Sequence, residues 1–352
     1  MASALSDSTE HQPRARMALS AALASGPSHA YLFRGPRGAG KRAAARAFAA
    51  EILAAAAEDP DDARRRALLD PSPHPDLVWL APSGAQHLVE DVRERVIRAS
   101  AYRPFEEGKR VFVIEAAEAM RDESQNALLK TLEEPPAFVH LILISSEPAG
   151  LLETIASRCQ PVDFAPLPVE AVEAALGGDG DEVEAAARLT GGDLELARLL
   201  LTERGREIRA EAIAMDWKAM LEAAGKAGED AESAAREALE AEREAGVKRS
   251  ARDLNDEAKR VGRRRRTELL DLGLGLAAAW FRDLAAIASG ATEAAYNRDR
   301  LVQLQSQAAG LDPNRPRRAA ELVQDTRRRL DLNVSEELAL EALLVRLERL
   351  LR

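Results

Sequence analysis

His29-Ala30-Tyr31-Leu32-Phe33-Arg34-Gly35-Pro36-Arg37-Gly38-Ala39-Gly40-Lys41-Arg42 is the stretch that decides the fold. A short apolar run enters a glycine-rich loop, and residues 41–57 behind it read as a helix. Strand, glycine loop and helix in that order form the setting of a nucleotide-binding P-loop. There, backbone N–H groups and the helix N-terminus face phosphate, and the lysine reaches the terminal phosphates. Gly35, Gly38, Gly40 and Lys41 are therefore candidate phosphate-binding residues. Arg42, however, stands where a Ser or Thr hydroxyl should hold Mg²⁺. As a fold marker the motif is strong and as a sign of hydrolysis it is weak. The residues alone leave open a loop that binds nothing.

Working outward, residues 77–80, 110–114, 140–144 and 161–164 read as further buried strands. Residues 89–99 and 123–132 read as helices; the first has Glu90 and Asp91 where the helix dipole favours acids, and the second stops before Pro135-Pro136. Residues 59–75 are charged and proline-rich and read as a loop or insertion. Near-continuous apolar strands separated by helices predict a parallel sheet covered on both faces.

After Pro166-Leu167-Pro168 the strand signals stop. Residues 169–176, 181–190 and 193–204 read as three short helices, broken by Gly177-Gly178-Asp179-Gly180 and Gly191-Gly192. From about residue 207 the pattern is helix or loop. A mainly acidic stretch, 229–244, precedes a mainly basic one, 248–266, that ends in Arg263-Arg264-Arg265-Arg266. No aromatics interleave with that run, so it reads as a solvated helix face rather than a nucleic-acid patch. The last helix starts at Ser335, an N-cap, and lines up Leu340, Leu343, Leu344, Leu347 and Leu351 on one face. Trp280 and Phe281 read as core or subunit packing. The implied domains are 1–166 (α/β), 167–206 (three helices) and 207–352 (all-α).

At 352 residues the chain exceeds one typical core. With 31% charged and 4% aromatic residues it has the composition of a soluble, mostly helical protein. A net charge of −10 gives no bulk attraction to DNA, so any DNA contact needs a local patch. The single cysteine, Cys159, excludes an intramolecular disulfide and a multi-cysteine zinc site within the chain. The first ten residues lack the basic and apolar regions of a signal peptide, and no apolar run reaches membrane-spanning length. The expected location is the cytoplasm.

The strand at 110–114 runs into Glu115-Ala116-Ala117-Glu118. An active P-loop ATPase needs an Asp for Mg²⁺ at the strand end and usually a Glu beyond it to activate water. Glu115 takes the first position and Ala116 the second; Glu118, further on, reads as an exposed helix-cap acid. Two defects in one apparatus predict a site without ATP turnover. Ser145 or Ser146, after the next strand, takes the polar position facing phosphate, and Ser145 is the chosen candidate. Ser157-Arg158-Cys159 holds an arginine of the kind that acts on phosphate, with a solvated surface arginine as the other reading.

The residues His29 to Pro36, then Asn126-Ala127-Leu128-Leu129-Lys130-Thr131-Leu132-Glu133-Glu134-Pro135-Pro136, then Ile155-Ala156-Ser157-Arg158-Cys159, together resemble the bacterial clamp-loader AAA+ subunits. With its broken nucleotide site the chain resembles the delta-prime type rather than the hydrolysing gamma/tau type of DNA polymerase III. The motif-rich resemblance covers residue 29 to about 166. Leu332-Asn333-Val334-Ser335 and Leu338-Ala339-Leu340-Glu341 also resemble the end of that family's collar. The resemblance implies an AAA+ domain, a three-helix lid and a helical collar that buries apolar stripes such as Leu340, Leu344 and Leu347 against sister subunits. It also implies that Arg158 reaches into a neighbour's ATP site as a finger, where an arginine in trans supplies about 10³–10⁵ in rate.

Many relatives carry four cysteines after the phosphate loop; none stands in 59–75, and His74 alone cannot make a zinc site. In the lid no arginine matches a second sensor clearly, and Arg188 and Arg198 read as surface residues. No cofactor is required, with ATP or ADP at most weakly held and no zinc. Implied partners are the gamma/tau and delta subunits, a sliding clamp, and primer-template DNA through the complex. Two alternatives differ in class: an active gamma/tau-type ATPase using Lys41 and Glu115, and a stand-alone P-loop DNA-repair or recombination factor.

Overall fold

A computed structural model describes residues 4–82, 86–106, 108–244, 251–330 and 335–351. It divides into two compact units, Met1–Leu167 and Pro168–Arg352. The first contains α1 (Ala4–Ser8), α2 (Pro13–Ser25), β1 (Ala30–Arg34), α3 (Lys41–Ala54), α4 (Pro60–Leu68), β2 (Leu77–Leu80), α5 (Val89–Asp91), β3 (Arg110–Ile114), α6 (Asp122–Glu133), β4 (Val139–Ser145), α7 (Glu153–Ala156) and β5 (Gln160–Asp163). Past α5 the chain continues as a π-helix over Val92–Arg98.

All five strands are parallel, in the order β2-β3-β4-β1-β5. Alternation along each strand builds two cores. Tyr31, Phe33, Val111, Val113, Ile142 and Ile144 pack with α3 on one face. Leu32, Phe112, Ile114, Leu141 and Leu143 pack with Leu128 and Leu132 of α6 on the other. The central strands β1, β3 and β4 are buried on both faces, which is why they read as nearly unbroken apolar runs.

The insertion departs from the loop reading. Residues 59–75 are not all loop, because they contain α4. Asp59 caps it by accepting from the N–H groups of Asp61 and Asp62, and Pro60 opens the first turn, where its missing N–H costs nothing. The charged residues taken as loop signals are the helix's own acidic start and basic end.

The described elements of the second unit are all helices, the α-helices being α8 (Val169–Leu176), α9 (Asp181–Thr190), α10 (Leu194–Leu200), α11 (Glu203–Ala214), α12 (Trp217–Glu244), α13 (Ala251–Ala288), α14 (Leu301–Ala308), α15 (Asn314–Leu330) and α16 (Glu336–Leu351). The expected helix 193–204 is shorter, since Thr202 accepts from Gly205 N–H and starts α11. Residues expected as lid and as collar share one core, which runs from Ala186 and Leu200 through Leu270, Trp280 and Phe281 to Leu347.

The stripe on α16 also departs from expectation. Leu340, Leu343 and Leu347 are buried in this chain's own core, so they do not wait for a sister subunit, while Leu344 is exposed. Leu332, Asn333 and Val334, part of the collar resemblance, lie outside the described residues. Arg264 and Arg265 pair with Glu268, and Arg266 pairs with Glu336. Among the described residues no helix is long and apolar enough to cross a membrane.

Candidate functional site

The phosphate loop hangs between β1 and α3. A side chain on Gly35 would collide with the Phe164 carbonyl oxygen, so only glycine lets β1 leave the sheet beside the end of β5. Gly38 and Gly40 take φ of 70° and 84°, the left-handed turns that curl the loop onto the start of α3. Lys41 is buried at 5% exposure and its Nζ donates to Gly35 O at 2.6 Å, Pro36 O at 2.5 Å and Ser146 Oγ at 3.2 Å.

Sequence reasoning missed a latch on this loop. Gln12, also buried, donates from Nε2 to Ala39 O (3.1 Å) and Ala165 O (2.7 Å), and its Oε1 accepts from Ala165 N–H (3.0 Å). One amide thus ties the segment before α2 to the loop and to the chain leaving β5. Nothing in the local pattern around a lone glutamine signals this.

The strand-end hydroxyl that meets Lys41 belongs to Ser146. Ser145 is fully buried in β4 opposite Arg34, and its Oγ has no hydrogen-bond partner among the described residues. Ser146 N–H donates to Glu118 Oε1 at 3.0 Å, so Glu118 is a structural acceptor rather than an exposed cap. His87 Nε2 lies 2.6 Å from Glu115 O and pins the turn after β3.

Arg42 fills the ground where a metal would be held. Its Nε pairs with Glu115 Oε1 at 2.9 Å and its Nη2 with Asp70 Oδ2 at 2.9 Å. Asp70 also takes Arg46 at 2.9 Å, and the Arg46 guanidinium lies 4.3 Å from the centre of the Trp79 ring. Burial pulls the Arg46 pKa below its ordinary value, with Asp70 opposing. A divalent ion does not fit this donor set. The hydroxyl ligand is absent, and Glu115 already carries a guanidinium. Asp70 and Trp79 went unnoticed from sequence because they come from the insertion and β2.

Arg158 stands apart from these groups. It follows α7, with Nη2 bonded to Glu133 Oε1 at 2.6 Å and Nη1 to Thr154 O at 2.9 Å, and its side chain is 35% exposed. The structure thus brings together Gly35, Lys41, Arg42, Glu115 and Ser146, but places Arg158 on α6 and α7. The neighbouring Cys159 is buried, and burial pushes its thiol up to about 12, so it stays protonated and unreactive. Arg188 pairs with Glu184 on its own helix.

Residues 11–168 match the family model described as DNA polymerase III, delta subunit. DNA polymerase III subunit delta-prime of Pseudomonas aeruginosa is 38% identical over 198 residues, 53% of this chain and 60% of the relative. The Bacillus subtilis delta-prime subunit is 35% identical over 151 residues, 42% of this chain and 45% of the relative. The Bacillus subtilis tau subunit is 34% identical over a further 151-residue alignment, 41% of this chain and 26% of the relative. The chain therefore spans about half the length of the delta-prime subunits it matches. In fold it resembles a DNA polymerase III gamma subunit-related protein from Thermotoga maritima, with a TM-score of 0.50 and 16% identity, covering 96% of this chain and 99% of that one. Over residues 11–168, the span that carries the glycine loop, the sheet and Arg158, this chain is similar to the delta-prime subunits of DNA polymerase III.

Proposed function

We propose that this chain is a non-hydrolysing, delta-prime-type clamp-loader subunit that supplies Arg158 to the ATP site of a neighbouring gamma/tau subunit. The observation that carries the reading is the split between the two arginines. Arg42 pairs inside the chain's own site with Glu115 and Asp70, whereas Arg158 stands away from that site, tethered through one carboxylate and one carbonyl. A guanidinium suits the charge that develops on a transferring phosphoryl group, and it is most useful when held but not buried. Glu133 holds it while the neighbour is absent, and a phosphate competes for the same N–H groups when one is offered.

In this reading the chain assembles with gamma/tau and delta subunits, and the complex opens a sliding clamp and places it on primer-template DNA. ATP or ADP at the chain's own loop is not needed for that work. Arg158→Ala in the reconstituted complex should leave assembly intact and lower turnover at the neighbouring site by about 10³ or more. Unchanged ATPase activity in that complex sinks the finger. The match to tau subunits favours one rival, an active ATPase built on Lys41 and Glu115. Sustained ATP turnover by the isolated chain, abolished by Lys41→Ala, would establish that rival instead.

A further inference from the structure

Arg42 does more than remove a hydroxyl. Its guanidinium lies between two carboxylates, Glu115 and Asp70, each at 2.9 Å. Trp79 sits 5.7 Å from its carbon centre, and Arg46 beneath the same ring balances the second negative charge. A guanidinium carries five N–H donors in a rigid fork. Here Nε and Nη2 are engaged by the carboxylates, while Nη1 has no hydrogen-bond partner among the described residues and the side chain is 49% exposed. Arg42 adjoins Lys41 in the first turn of α3, directly after the glycine loop.

We propose that the Arg42 guanidinium is the resident cation of this loop, standing in for the divalent metal, and that the loop holds the phosphates of a nucleoside di- or triphosphate without any metal ion. In a hydrolysing P-loop site the metal is held by a hydroxyl and an acid, and neutralises the phosphate oxygens it bridges. In this chain the acid, Glu115, orients a covalently attached cation, and the free Nη1 edge is left for a phosphate oxygen. Asp70, from the segment after α4, fixes the other side of the fork. The inference rests on the reading of a non-hydrolysing site, because a fixed guanidinium neutralises phosphate charge while no residue here activates water.

The test is calorimetric titration of the full chain with ADP and with ATP, each in Mg²⁺ and in EDTA. The wild-type dissociation constants should agree within about threefold in the two conditions. Arg42→Thr, which restores the hydroxyl, should lose at least about tenfold in EDTA and recover in Mg²⁺. Wild-type binding that vanishes in EDTA overturns the proposal. So does the absence of binding by either nucleotide in either condition, and so does an Arg42→Thr protein that binds in EDTA as the wild type does. The wild-type comparison needs no variant, so it stands whether or not the threonine form folds. The Arg158→Ala experiment reads a different site in the assembled complex, so either result can fail while the other holds.

Discussion

Ala116, in the turn after β3, takes φ 46°, ψ 54°. An alanine in the left-handed region is strained by about 1–2 kcal/mol, because its Cβ crowds the following carbonyl. The turn tolerates the strain because its neighbours pin it. His87 holds Glu115 O, and Ala119 N–H closes back on Ala116 O at 2.8 Å. Ala116→Gly should therefore raise the unfolding free energy by about 0.5–1 kcal/mol, after the extra unfolded-state entropy of glycine is deducted. Urea denaturation reads it directly, and a loss of stability would show that the turn is not strained. Residue identities at this site were legible in the sequence: Lys41, Glu115, Ala116 and Arg158 all stand out by position. Their pairing was not. Arg42 reads locally as a missing hydroxyl, and becomes a cation with two partners only when Asp70, 28 residues on, and Glu115 are folded against it.

At the scale of elements, α12 and α13 meet backbone to backbone. A Cβ on Gly228 would lie 2.9 Å from Gly262 O, and one on Gly262 would lie 2.7 Å from Gly228 O. Beyond this crossing Leu239, Leu254 and Ala258 form a small core of their own. Gly262→Leu should force the helices apart and cost about 1–3 kcal/mol, with amide exchange between residues 228 and 262 accelerating. Exchange unchanged there would mean that the crossing is not load-sharing. The central strands β1, β3 and β4 and most helices were legible because those strands are buried on both faces and mostly apolar, whereas the edge strand β5 is exposed at three of its four residues. The insertion helix α4 was not, because the same Asp59-Pro60 pair that caps a helix also ends one. The stripe on α16 showed which residues are apolar, but periodicity cannot say whether the surface that covers them belongs to this chain or another; Leu340, Leu343 and Leu347 are covered at home.

For the molecule as a whole, acidity is the condition that separates buried from exposed charge. His74 and His140, both in the first unit, are 4% exposed. Burial holds both below the ordinary 6.5; Glu106 opposes this at His74, and the bond to Ser28 O opposes it at His140. Both stay neutral in the fold, while the unfolded chain takes up protons at 6.5. Their contribution is complete above that value and is lost progressively as the pH falls below it, until it reaches each histidine's lowered folded value. The lowered carboxylates Glu106 and Asp163, held by Arg66 and Arg34, act only further down, below the usual carboxylate range. These pairs are exposed and weak. The midpoint of urea unfolding should therefore stay level above about pH 7 and fall as the pH drops below about 6.5. His140→Asn, which keeps a donor for Ser28 O, should flatten that slope. A slope that the substitution leaves untouched would assign the loss to other groups.

The glutamine latch carries one more consequence, for the order in which the molecule is made. Gln12 closes on Ala165, which is 153 residues away. Contacts of such separation form late, since the whole intervening chain has to be placed first. During synthesis the segment that braces the phosphate loop leaves the ribosome ahead of its partner, which emerges only when β5 is complete. Until then β1 has no β5 beside it, and Phe164 is not in place behind Gly35. The nascent chain therefore carries a phosphate loop without its brace, and the loop is drawn shut by its last strand.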